Sequence, residues 1–260
     1  MISGPGRRHV RIRVPTERAR RKVVVITGAS SGSGRTIALQ FAVRGEDLVL
    51  ASRREQALDG LRRECDRLKA RTIAQVTNLS DLRSANALAD AALQKFGRVD
   101  IWINYAPPSP GPNDGTPSDP YASAEEYVTT GYENGASAAL RCLGASGGGL
   151  LVNVDSLVGG AAPGYDVAHA EARRRVAAVF AAIALRAQDV DGVTVCQVQP
   201  SRAHIDPEAL APMVVSLAYA HTESGQLGRL GAAYERLRFQ LWERTRLTGR
   251  GGNRRPVTKA

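Results

Sequence analysis

The stretch that most restricts the fold is Val23 to Leu39, VVVITGASSGSGRTIAL, where an apolar run meets a glycine-rich turn and then a helical pattern of small residues. Val23 to Thr27 are all β-branched, which suits a buried strand. Gly28, Gly32 and Gly34 then allow a tight turn in which the backbone can approach a pyrophosphate. The first N–H groups of the following helix carry partial positive charge, so the turn offers a place for an anion.

Thr27-Gly28, three residues, then Gly32-x-Gly34 resembles the TGxxxGxG motif of the short-chain dehydrogenase/reductase family rather than the GxGxxG of longer dehydrogenases. The resemblance runs from about residue 22 to 206. It implies a single α/β domain, a doubly wound parallel sheet of Rossmann type, with a nicotinamide dinucleotide held at Gly28, Ser30, Ser31, Gly32, Ser33 and Gly34. The implied activity is hydride transfer between nicotinamide and a small-molecule carbonyl or alcohol.

Apolar periodicity beyond the turn agrees with that architecture. Ile37, Ala38, Phe41 and Ala42 give a helical face that ends near Gly45, and Leu48 to Ala51 reads as a strand. Ala57, Leu58, Leu61, Cys65 and Leu68 mark an amphipathic helix, followed by a strand at Thr72 to Val76. Ala85 to Phe96 is a helix capped by Gly97, and Val99 to Ile103 is the next strand. A helix from Ala124 to about Leu143, a strand at Leu150 to Val154, a helix over roughly His169 to Arg186 and a strand at Val193 to Val198 complete the alternation. Such alternation predicts parallel strands joined by right-handed crossovers. Pro207 to Ala218 reads as helical, while no closing strand is legible in Tyr219 to Gly225.

The net charge of +10 is concentrated at the ends. Residues 1–22 carry eight Lys/Arg against one acid, and residues 229–260 carry nine against two, so the middle is slightly acidic. With no recognition motif or aromatic interleaving, the basic ends read as solvated tails at 1–22 and 248–260 around a domain at 23–226, and no specific nucleic-acid partner is expected. Leu227, Leu230, Tyr234, Leu237 and Leu241 form one apolar stripe, predicting an amphipathic helix at 227–247 that packs on the domain or on a second subunit of a homo-oligomer. Phe239 and Trp242 beside basic residues leave a weak membrane-surface contact as its second reading. No transmembrane run or secretory signal is evident, so a cytoplasmic location is expected. Cys65, Cys142 and Cys196 have no metal spacing; they read as buried reduced thiols, and no metal site is expected.

After the second strand stand Ser52, Arg53 and Arg54, where an NAD enzyme usually places an acid for the ribose 2′-hydroxyl. A guanidinium offers a planar fork of donors to a phosphate, which favours NADP(H) over NAD(H). Asn78-Leu79 occupies the place of the family's Asp beside the adenine. Asn104-Tyr105-Ala106-Pro107 is the counterpart of NNAG, keeping the first Asn and the Ala but exchanging the second Asn for Tyr and the Gly for Pro. Pro200-Ser201 stands where the family has Pro-Gly near the nicotinamide.

In the family, Asn anchors a water, Ser holds the substrate oxygen, Tyr exchanges its proton and Lys lowers the Tyr pKa and grips the ribose. By position, Asn134 matches the Asn and Ser156 the Ser. The place of YxxxK is held by His169 and Arg173, whose spacing keeps both on one helical face. Imidazole can exchange a proton near neutral pH. Arg173 can hold ribose hydroxyls and negative charge but cannot relay a proton. Plainer readings stand beside these: His169 as a helix-start residue, Arg173 as part of the solvated run Arg173-Arg174-Arg175, and Tyr165 as a substitute phenol closer to Ser156. Two functions follow: an NADP(H)-dependent oxidoreductase, or a catalytically degenerate relative that binds nucleotide or a partner without turnover.

Overall fold

The computed structural model describes residues 20–30, 32–106, 124–155, 166–198 and 207–224, with the side chains of 124–127, 166–173, 207–208 and 222–224 outside that description. In chain order the elements are β1 (Val23–Ile26), α1 (Gly32–Val43), β2 (Asp47–Ser52), α2 (Glu55–Arg67), β3 (Arg71–Val76), α3 (Leu82–Phe96) and β4 (Ile101–Tyr105). They continue with α4 (Ala124–Ala145), β5 (Gly149–Val154), α5 (Asp166–Ala187), β6 (Val193–Val198) and α6 (Pro207–Ser224). All pairings are parallel, in the order β3-β2-β1-β4-β5-β6. This is the doubly wound sheet that the alternation predicts.

Both faces of the central strands are buried, which is why β1, β2 and β4 read as continuous apolar runs. Val25, Val49, Trp102 and Leu151 pack with α3, α4 and α5 on one face. Val24, Ile26, Leu48, Ile103 and Val152 pack with α1, α2 and α6 on the other. Gly97 ends α3 in the left-handed region, φ 78°, with its N–H on the Leu93 carbonyl at 2.8 Å. At the opposite end, the Asp81 carboxylate accepts from the Arg83 N–H.

Three expectations shift. Of the five residues assigned to the apolar face of α2, Leu58, Leu61 and Cys65 are buried, but Ala57 and Leu68 are exposed because they flank that seam. The strand expected at Val99–Ile103 spans Ile101–Tyr105 instead. Asp100 ends the preceding turn by accepting the Val23 N–H, and Thr27 holds Tyr105 in extended pairing at the other end. Tyr219 belongs to α6, which continues to Ser224, and no closing strand is present among the described residues. The expected C-terminal helix at 227–247, the tail at 248–260 and residues 1–19 of the expected tail at 1–22 lie outside the described residues. No described helix is long and apolar enough to cross a membrane.

Candidate functional site

The sheet order reverses between β1 and β4, and in such sheets ligands bind outside the carboxyl ends of the strands at that point. The glycine turn leaves β1 there. Gly28 and Gly32 adopt φ 62° and 51°, a region glycine enters at little cost. A Cβ on Gly32 would meet nothing within 4 Å among the described residues, which leave open space at the start of α1. Gly34 is different. A Cβ there would lie 2.9 Å from the Gly28 carbonyl carbon and still nearer its oxygen, so the turn and the helix touch backbone to backbone. The Ala29 N–H bonds the Ala51 carbonyl at 3.0 Å, tying the turn to β2.

Where β2 ends, Ser52 is 8% exposed and its hydroxyl is buried without a hydrogen-bond partner among the described residues. Arg54 donates through Nε and Nη2 to the Ser30 hydroxyl at 3.2 and 3.1 Å, bridging β2 to the glycine turn. Arg53 is half-buried beside them. An unpartnered buried hydroxyl, two guanidinium groups and an open glycine turn fit the adenosine and phosphate half of a nicotinamide dinucleotide. Among the described residues no group of acids, His and Cys could hold a metal ion.

The opposite wall is set by close packing of α4. Asn104 is fully buried and donates through Nδ2 to the Tyr132 carbonyl and to Asn153 Oδ1, both at 3.0 Å. A Cβ on Gly135 would reach 3.0 Å from the Asn104 Cγ, and one on Gly131 would lie 3.2 Å from the Ala106 Cβ. Gly131 and Gly135 are four apart on one helical face, a small-residue spacing that is present in the sequence itself. Asn78 turns back on its own loop, its Oδ1 accepting from the Ser80 N–H at 3.1 Å. Leu79 is buried, and its carbonyl accepts from Asn134 Nδ2 at 2.8 Å, so that side chain joins α4 to the loop before α3.

Two residues gain a role that sequence reasoning missed. The Thr27 hydroxyl accepts the Tyr105 N–H at 2.9 Å and donates to the Tyr105 carbonyl at 2.8 Å, clamping the ends of β1 and β4 together. Tyr105 is 8% exposed, and the Ser33 side chain lies near its phenol. Burial pushes the phenol pKa up, and the nearby Ser33 hydroxyl acts in the opposite direction.

His169 and Arg173 both lie on α5, four residues apart on one helical face, and their side chains fall outside the described residues. Ser31, Ser156, Tyr165 and Pro200 also lie outside the described residues. Ser156 directly follows Asp155, a buried acid at the carboxyl end of β5.

A family model described as short chain dehydrogenase matches residues 22–206. The chain is 42% identical over 86 residues to dehydrogenase/reductase SDR family member 7 of Mus musculus, covering 32% of this chain and 25% of that one. It is 30% identical over 139 residues to the uncharacterized oxidoreductase Lmo0432 of Listeria monocytogenes, covering 53% and 56%. The matches thus span a quarter to about half the length of these relatives. A short chain dehydrogenase from Mycobacterium smegmatis superposes with a TM-score of 0.64 at 27% identity, over 76% of this chain and 85% of that one.

Proposed function

Since the chain belongs to the short-chain dehydrogenase/reductase family, we propose that it is an NADP(H)-dependent oxidoreductase acting on a small carbonyl or alcohol. The observation that carries this reading is the meeting of the glycine turn with the end of β2, where Arg54 reaches Ser30 and the Ser52 hydroxyl is buried without a partner. Backbone N–H groups at Gly32 to Gly34 would face the pyrophosphate. Ser52, Arg53 and Arg54 would take the ribose 2′-phosphate, because guanidinium donors match phosphate oxygens in a planar fork. Asn78, Leu79, Asn104, Ala106 and Pro200 would line the remaining walls. The nicotinamide supplies the hydride chemistry when bound.

The chain's own catalytic share falls to α5 and the loop after β5. Ser156 would orient the substrate oxygen by donating a hydrogen bond. His169 would give or take the proton, with an unperturbed imidazole pKa near 6.5 suited to both directions. Arg173 would hold ribose hydroxyls and stabilise negative charge while remaining protonated. Asn134, bonded to the Leu79 carbonyl, would brace α4 beside this group.

Fluorescence titration with NADPH and NADH, followed by NADPH oxidation against a panel of carbonyls, tests the reading. Expected are tighter binding of NADPH, turnover with at least one carbonyl, and a loss of about 10²- to 10⁴-fold in His169→Ala. Arg53→Ala should weaken NADPH more than NADH. Binding without turnover would instead support a nucleotide-binding relative in which the exchange of Tyr and Lys ended catalysis. Failure to bind either nucleotide would refute the proposal.

A further inference from the structure

We propose that the cleft between the start of β1, the end of α1 and α6 is a second binding site, which takes a small anion carrying two or more negative charges. It lies at the amino ends of the strands, opposite the glycine turn, because β1 and β2 run parallel and α1 returns from their carboxyl ends. A helix of 12 residues spans about 18 Å, so an anion in the cleft stands clear of the proposed cofactor position. The cleft has a volume of about 600 Å³, within the range of small-ligand pockets.

Arg20, Arg21, Lys22 and Arg44 line it against a single carboxylate, Glu46, among the described residues. Glu46 offsets one of these cations at most, and both its oxygens are used by the framework. It is 7% exposed and accepts from the Lys22 backbone N–H and the Tyr219 hydroxyl, fixing the start of β1 to α6. Arg21 is the cation that the fold itself uses, on the buried Asp47 carboxylate at 3.5 Å and the Lys69 carbonyl at 3.2 Å. Arg20, Lys22 and Arg44 pair with no carboxylate among the described residues. Arg44 is nevertheless held in place: Nη1 donates to the Gln40 carbonyl at 2.7 Å, and the guanidinium stands 5.7 Å from the centroid of the Tyr219 ring. The last carbonyls of α1 would repel an anion, but Phe41 accepts from the Arg44 and Glu46 N–H groups and Ala42 from that of Gly45. From α6 come Val215 and the Tyr219 ring as an apolar wall, with the Ser216 hydroxyl beside them. Guanidinium donors suit phosphate or carboxylate oxygens alike. The flanking sequences at 1–22 and 229–260 are basic, so they add cations rather than counter-charge, and the counter-charge falls to a ligand.

The test titrates the full chain, at constant ionic strength, with sodium tripolyphosphate and separately with sodium citrate, following backbone amide chemical shifts. At least one of them should shift residues 20–22, 44–46 and 215–219 saturably, and the tighter one assigns phosphate or carboxylate as the anionic group. Read from those amides, Lys22→Gln and Arg44→Gln should each weaken binding about tenfold, the size of one hydrogen bond between charged groups. Ser216→Glu, at an exposed position on α6, adds a carboxylate to the cleft without entering the core and should abolish binding. Arg83→Gln removes an exposed cation at the start of α3, near the other ends of the strands, and should leave affinity within about twofold. Equal losses in Arg83→Gln and Arg44→Gln would show unspecific attraction to a basic protein and overturn the site. Shifts confined to 1–19, 28–34 or 229–260 would put the anion elsewhere and overturn it too, as would the binding of neither anion. Should Arg44→Gln fail to fold, Lys22→Gln and Ser216→Glu decide by the same criteria.

Discussion

Replacing Gly34 by alanine sets two opposing effects against each other at one position. In a helix, Gly→Ala ordinarily stabilises by about 1 kcal/mol, because alanine loses less conformational freedom on folding. At Gly34 the added carbon would stand 2.9 Å from the Gly28 carbonyl carbon and 3.2 Å from Tyr105 Cδ1, against an optimum of about 3.5 to 4.0 Å between carbons. The nearer neighbour is backbone in a turn already at φ 62°, so it cannot rotate away as a side chain would. Relief requires α1 to lift from β1, and α1 is held by Phe41 and Ile37 in the core beneath α6. Overpacking of this kind costs about 1 to 3 kcal/mol, which exceeds the helical gain. Gly60, inside α2, has nothing within 4 Å of its Cβ position and serves as the control. Chemical denaturation should therefore give Gly34→Ala a lower midpoint than wild type and Gly60→Ala a higher one, with the slope unchanged and the pair separated by the overpacking cost of about 1 to 3 kcal/mol. Nucleotide affinity should fall only in Gly34→Ala. A Gly34→Ala midpoint equal to or above wild type would refute the close approach of turn and helix.

Three further outcomes follow from the same structure. Arg54→Ala unties Ser30 from β2 and should weaken NADPH by about tenfold more than NADH in fluorescence titration; equal losses would assign Arg54 to loop architecture alone. His221 on α6 has its pKa lowered by burial and then by Lys22, so as pH falls below about 6.5 the unfolded chain takes up the proton before the native one does. Stability should thus be complete at neutral pH and fall on acidification, and thermal midpoints in His221→Gln should fall less over the same range. The thiols of Cys65 and Cys142 are pushed up to about 12 and that of Cys196 to about 11, chiefly by burial. All three should resist a thiol reagent at neutral pH in the native protein and react once it is unfolded; rapid native labelling would contradict the packing.

Element type was legible wherever a local signal coincided with burial. The five-residue β-branched run, the left-handed Gly97 after α3 and the strand at Val193–Val198 each follow from residues close in sequence. What was not legible came from contacts between segments far apart. Nothing near Asn104 and Tyr105 announces that β4 continues through them, because the group holding them extended is the Thr27 hydroxyl on β1. The small face of Gly131 and Gly135 had meaning only once Ala106 and Asn104 were known to lie beneath it. At the site, the glycine turn and the arginines after β2 were found from spacing, but the bond from Arg54 to Ser30 required the sheet order.

The departures from the family pattern then take on a different meaning. Read along the chain, Tyr105 is a lost asparagine in a wall of the pocket, a change that counts against function. In the fold, the same side chain lies against the first turn of α1, and its bulk is accommodated because Gly34 presents no Cβ to it. A large residue at position 105 and a glycine at position 34 are therefore partners in one contact, where a Cβ at position 34 would stand 3.2 Å from the Tyr105 Cδ1. This fit leaves the backbone approach of Gly28 and Gly34 in place. Of the departures named above, His169 and Arg173 on α5 are then the ones that bear on the proposed proton transfer.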